Sequence, residues 1–309
     1  MDFDASNGGH RFYRAVAGGL PFRFALAAKE KLDLEGNNIK TDSFDSGDPN
    51  FSTGGKYDPT KAEAHGDIGA YLGMTNSIGV GNATVYGKVS TGPNGTVYIG
   101  PQGYVGDPIW SHKPGQNIEP GYLTDDMNVQ FPAVDTPSTA GTYTPGSGSV
   151  LGTNYNYLLP AGSGYVHGNL SLSGNDTMLV AGNASLYVDG TFSMSGQASI
   201  TIVPGASLKL YVGGPSASIG GNGVANSGDA STFILYGLPS CTFVNFAANG
   251  AFTGIIYAPN ADLTLNGGGS NNQNNPDDFV GAVVAQAILL TGHLSFHYDE
   301  NLRRLAPMH

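Results

Sequence analysis

Five carboxylates gather toward the C-terminus, Asp262, Asp277, Asp278, Asp299 and Glu300, with His293 and His297 among them. Two carboxyl groups on one exposed sheet face can cleave a glycosidic bond. One protonates the leaving oxygen and the other acts as base or nucleophile, at a separation of roughly 5–10 Å. Asp277, Asp278, Asp299, Glu300 and His293 are therefore the candidate catalytic residues if the chain is an enzyme. The competing reading makes Asp277-Asp278 a solvated turn and His293 a turn residue standing where other turns carry Asn. His293 and His297 are four apart; on a strand that places them on one face but about 13 Å from each other, too far to share one metal. Oxygen-rich loops at Asp45, Asp48 and Asp58, and at Asp277 and Asp278, have the hard ligands that calcium takes. They lack the fixed repeat of calcium-binding nonapeptides, so the metal question stays open. Gly220–Gly223 precedes no helix and no Lys-Ser/Thr pair, and no nucleophile elbow is present. No cofactor is expected.

These residues sit between short alternating segments. A small residue followed by Gly-Asn or a near variant recurs at Gly36-Asn37, Gly81-Asn82, Gly174-Asn175, Gly196-Gln197, Gly221-Asn222 and Gly292-His293. Gly and Asn tolerate positive φ, so each unit turns the chain sharply. Between turns, segments such as Ala198–Val203 and Ser207–Val212 alternate apolar and polar, the period of a half-buried strand. The spacing is regular: Gly174 to Gly196 is 22 residues, Tyr187 to Tyr211 is 24, Tyr236 follows 25 later and Tyr257 another 21. A drifting period of 20–30 residues built from strands indicates a solenoid. The predicted fold is all-β, a right-handed parallel β-helix in which each coil contributes about three strands. Leu170, Leu172, Leu186, Val188, Ile200, Ile202, Leu208, Leu210 and Val212 are its expected inward residues.

Composition bounds the partners. Net charge is −11 and charged residues make up 12 % of the chain. No basic patch exists to neutralise phosphates, which argues against nucleic acid. No stretch is long and apolar enough to span a membrane. The single cysteine, Cys241, reads as a buried small hydrophobe. Along the chain, residues 1–31 are expected to form an N-terminal cap or the remnant of an anchor region, and 32–302 the β-solenoid. Within it, 101–164 form a long Pro/Gly/Ser-rich strap loop lying along the body, and 267–278 a polar insertion. Residues 303–309 are a tail, and the charged run His297–Arg304 is expected to close the final coil. Capped ends predict a monomer or at most a weak dimer.

A family resemblance rests on Ser173-Gly174-Asn175, Leu186–Val188, Ile202–Val212, Ile256–Asp262 and Phe296–Glu300, with Lys31–Asn38, Asp42–Ser46 and Asp125–Val129 upstream. Over about residues 25–302 the chain resembles the β-helix domain of bacterial surface proteins associated with type IV pilus assembly (PilX-type), with a more distant similarity to bactofilins. The resemblance implies an extracellular or cell-envelope location, with an export or anchor segment absent from this chain, and supplies no catalytic residues. The order Asp277-Asp278, then Gly292-His293, is similar to the acidic pair and Gly-His of pectin-type hydrolases, without their basic substrate-binding motif. The expected function is a structural or adhesive surface module that displays itself or contacts glycan or cell-surface components. The alternative is a polysaccharide hydrolase or lyase using a groove lined by the 267–278 insertion.

Overall fold

The computed structural model describes residues 22–36, 38–111, 115–150, 152–247, 250–267 and 278–305. The chain is all-β; its helices among the described residues are three short 3-10 turns, Pro59–Lys61, Ala230–Thr232 and Glu300–Arg304. Nearly every strand pairs in parallel with strands one period away, and the pairings form three files.

In the first file Tyr157–Leu159, Thr177–Val180, Ser199–Ile202 and Gly223–Asn226 lie side by side. The second runs Gly162–Val166, Asn183–Val188, Ser207–Val212 and Phe233–Gly237, then the Ile255–Tyr257 part of the long strand Phe252–Gly267. The third runs Leu170–Leu172, Phe192–Met194, Ser216–Ile219 and Phe243–Phe246, then Asp262–Leu265 of that long strand. The whole strand then pairs along Asp278–Gly292. Turn glycines join the files by stacking on one another. Gln197 N donates to Gly174 O at 2.6 Å, and Asn222 N to Ala198 O at 2.9 Å. At Gly221, φ is +62° and a Cβ would stand 2.7 Å from Ala198 O, so glycine is required on both counts.

Register places like on like. One column of the second file reads Leu186, Leu210, Leu235, Ile256, Val283, Leu26, Ile68 and Val89, each directly opposite the next. All eight are 0 % exposed. Burying each such side chain contributes roughly 1.5–3 kcal/mol, so one column is a main stabilising line of the molecule. The nine inward residues expected from the alternation are all buried, and Cys241 is buried with them.

That column also shows an order of strands that the sequence does not follow. Leu26–Leu34 pairs with Asp278–Gly292 on one side and with Ile68–Ala70 and Ile78–Gly81 on the other. Ser295–Asp299 lies between Asp278–Gly281 and Lys40–Phe44. The files then continue through Thr84–Val85, Val89–Thr91 and Val97–Ile99 to Tyr104–Val105 and Leu123–Thr124. The early and late segments thus meet at one level, mid-stack. Three expectations change: of the expected 101–164 strap, Tyr104–Val105, Leu123–Thr124, Tyr157–Leu159 and Gly162–Val166 are strands of the files. Residues 26–31 are interior strand and not cap, and His297 does not close an edge, because its strand is paired on both sides. Residues 1–21 and 268–277, and with them Asp277 and the body of the expected insertion, lie outside the described residues.

Because the stack ends at Leu123–Thr124 on one side and begins at Tyr157–Leu159 on the other, the intervening chain must travel its full length. The outward column of the second file runs Tyr165, Tyr187, Tyr211, Tyr236, Tyr257, Val284, Ala27, Gly69, Ser90 and Thr124. Nine steps of about 4.8 Å span about 43 Å, within reach of an extended segment from Thr124 to Thr142. The segment follows this column. Met127 N donates to Thr91 O at 2.9 Å, and a Cβ on Gly69 would meet Met127 Sδ at 2.8 Å. Pro132 O accepts from Tyr257 Oη at 2.7 Å, and Tyr143 N donates to Tyr165 O at 2.7 Å. A small residue, Gly69, stands in the column where Met127 needs room.

Candidate functional site

Most of the acidic candidates are positioned by the adjacent strands Asp278–Gly281, Ser295–Asp299 and Lys40–Phe44 and by the loop of residues 45–66. The loop leaves Phe44, folds over the outer face of the sheet and returns through an antiparallel bridge between Ser43 and Glu63. Asp58 caps its 3-10 turn by accepting from Thr60 N. Lys56 reaches across to donate to the carbonyls of Ser227, at 2.7 Å, and Gly228.

Beneath the loop lies a closed set of charges. His297 stands directly opposite Asp42 in the pairing, and its Nδ1 is 2.5 Å from Asp42 Oδ1. Its Nε2 is 3.4 Å from Asp278 Oδ1. Both ring nitrogens face carboxylates, an arrangement that favours the doubly protonated, positively charged ring. The Tyr57 ring stacks on the imidazole at 3.6 Å between centroids, and its hydroxyl donates to Asp42 Oδ2 at 2.9 Å. Lys40 adds an ion pair to the same oxygen at 2.8 Å. Asp42 and His297 are 1 % and 3 % exposed. Burial opposes the charged imidazole, but the bonds to Asp278 and Asp42 outweigh it and hold its pKa above the usual histidine range. Burial likewise opposes the Asp42 carboxylate, and His297 with Lys40 overcomes it and holds Asp42 below its usual range. Burial and the neighbouring Asp42 charge push the Tyr57 hydroxyl up.

The other candidates go elsewhere. Asp299 is buried, and its Oδ1 accepts from Ser46 N and Asn301 N, both at 3.1 Å, capping the Glu300–Arg304 turn. Glu300 accepts from Ser43 Oγ at 2.8 Å, lies 2.8 Å from His65 Nδ1, and pairs with Arg303 at 3.1 Å. His293 sits in its turn beside Asn38, 3.4 Å away, as a stacked turn residue. Asp262 is exposed on its strand. Asp45 is held by Arg304, and Asp48 accepts from Asn50 N. Asp42 and Asp278 thus share His297, while Asp299, Glu300 and Asp45 are held by other partners. Two residues central to this arrangement, Asp42 and Tyr57, were not among the sequence candidates; 255 residues separate Asp42 from His297, and no local pattern links them.

The open site is on the second file. Tyrosines stack in its outward column: Tyr211 and Tyr236 lie parallel with centroids 4.6 Å apart, and Tyr257 meets Tyr236 edge-on at 6.3 Å. Between this column and the overlying residues 132–137 is a cleft of about 600 Å³. Tyr211, Ile234 and Tyr236 form its floor, Pro132 and Pro137 flank its cover, and Lys209, Ser231, Asp135 and Thr136 supply polar groups. Tyr236 and Tyr257 are nearly fully buried, and Tyr211 is half-buried. Farther along, Tyr165 donates to Asp189 at 2.5 Å, a bond that pushes its hydroxyl up to about 12. The tyrosine spacing of 24, 25 and 21 residues was the sequence signal for this column.

A family profile described as a domain of unknown function (DUF7305) matches residues 122–305. That span takes in the overlying segment, the tyrosine column and the C-terminal turn. No curated protein and no solved structure matches the chain.

Proposed function

Since the chain belongs to the DUF7305 family, whose name carries no activity, we propose from its own geometry that it is a β-solenoid binding module holding a neutral glycan in the tyrosine-lined cleft. The solenoid reading, right-handed with three files per turn, rests on the register of parallel strands that return every 21–25 residues. The cleft is the observation that carries the binding role. Sugar rings present flat C–H faces that lie on aromatic rings, while their hydroxyls bond to polar groups around the edge. Tyr211 offers such a face, with Lys209, Ser231 and Thr136 at the rim. A net charge of −11, with Lys209 countered by Asp135 in the cleft, disfavours acidic polymers. Binding is favoured over hydrolysis because Asp42 and Asp299, among the described residues, are buried and already hydrogen-bonded, where hydrolysis needs carboxylates open to the substrate. The resemblance to PilX-type surface domains and the low charge content support a place at the cell envelope.

Calorimetry against a panel of neutral polysaccharides tests this. One or more should bind, and Tyr211→Ala should weaken binding at least tenfold while leaving the circular dichroism unchanged. Binding that survives Tyr211→Ala undiminished, or no binding across the panel, would overturn the proposal. Release of reducing sugar would favour the hydrolase instead.

A further inference from the structure

Glu63, His65 and Glu300 each offer one ligand atom, and these three atoms lie within 4.8 Å of one another. We propose that these three residues bind a divalent first-row transition ion of the zinc type, and that the ion ties the 45–66 loop to the C-terminal turn.

The backbone prepares the set. The Ser43–Glu63 bridge fixes the returning strand of the loop, and His65 N donates to Ser43 Oγ at 3.1 Å. The same hydroxyl donates to Glu300 Oε1 at 2.8 Å, so a single serine orients ligands from both segments. Arg303 takes Glu300 Oε2 at 3.1 Å and leaves Oε1 facing His65. The glutamates bring two negative charges against one guanidinium, and a divalent ion would neutralise the excess.

Chemistry selects the ion. An imidazole nitrogen with two carboxylate oxygens suits zinc and its neighbours, whereas calcium and magnesium prefer oxygen throughout. In tetrahedral zinc the bond lengths place neighbouring donors roughly 3.4 Å apart. His65 Nδ1 and Glu300 Oε1 are now 2.8 Å apart, at hydrogen-bonding distance, and the third donor is within 4.8 Å. Replacing the shared proton by the ion therefore needs side-chain shifts of about 1 Å and no backbone change. The His65 side chain is 53 % exposed, which gives an entry path and room for water as the fourth ligand. None of the three ligands lines the tyrosine cleft, so the zinc test can fail while glycan binding holds, and the reverse.

The test is zinc titration of the chelator-stripped full chain, by calorimetry and by thermal unfolding. One zinc should bind per chain and raise the melting temperature by several degrees. His65→Ala and Glu63→Gln should each weaken binding at least tenfold; the first is at an exposed side chain and the second keeps its shape, so both should fold, as circular dichroism would verify. His167→Ala is the control. His167 pairs with Asp189 at 2.8 Å and is 88 % exposed, yet belongs to no three-ligand set. Zinc binding unchanged in His65→Ala and Glu63→Gln, binding lost only in His167→Ala, or no binding at tens of micromolar zinc would each overturn the proposal.

Discussion

At the scale of single residues, alternation decides what a substitution costs. Ile202 is 2 % exposed and Thr201, its neighbour, points the other way. Ile202→Ala should cost about 2–5 kcal/mol, through lost burial and the cavity left behind. Thr201→Ala should stay within about 0.5 kcal/mol. Denaturant unfolding of the two variants checks this, and equal effects would contradict the register. Gly281 is a sharper case. Its φ is +142°, and a Cβ there would stand 1.8 Å from Gly254 O, in the middle of a strand paired on both sides. Neither the backbone nor the neighbouring strand can give way cheaply. Gly281→Ala should destabilise by about 3 kcal/mol or more, seen as a large fall in melting temperature or loss of soluble protein.

At the scale of elements, the 45–66 loop makes stability depend on pH through the charges it covers. His297 is held above its unfolded pKa. Its contribution is complete below about pH 6.5 and is lost as pH rises through the raised folded value. Asp42 is held below its unfolded pKa. Its contribution is complete above about pH 4 and is lost as pH falls through the lowered value. Stability should therefore peak between about pH 4 and 6.5 and decline on both sides. Asp42→Asn should flatten both limbs, because His297 loses its nearest counter-charge; urea unfolding across pH measures it, and unchanged limbs would contradict the account. The overlying segment has its own handle. Tyr257→Phe removes the bond to Pro132 O, worth about 1 kcal/mol, and should speed proteolysis within residues 125–142 without changing the rest of the map. Much of this layer was legible beforehand: apolar alternation marked the strands at Ala198–Val203 and Ser207–Val212, and the tyrosine spacing marked the column. The charge cluster was not. Asp42 and His297 meet only because parallel strands from opposite parts of the chain fall into register, and a sequence carries no local mark of its distant partner.

For the whole molecule, the junction where Leu26–Leu34 lies on Asp278–Gly292 holds two blocks of strands together. Leu26 is fully buried between Val283 and Ile68. Leu26→Ala should cost about 2–5 kcal/mol and speed amide exchange in strands on both sides of the junction, not only in its own. Exchange confined to residues 26–34 would mean the blocks are independently stable. Folding should take a second or longer, since this pairing closes across most of the chain. The alternation was sufficient to read strands and inward faces here too, yet it placed an end cap at residues 26–31 where the structure has an interior level. The junction has a mechanical meaning as well. Phe22 and Leu305 both border the tyrosine cleft, so a pull applied between these two residues is carried at that one level and leaves the rest of the stack unloaded.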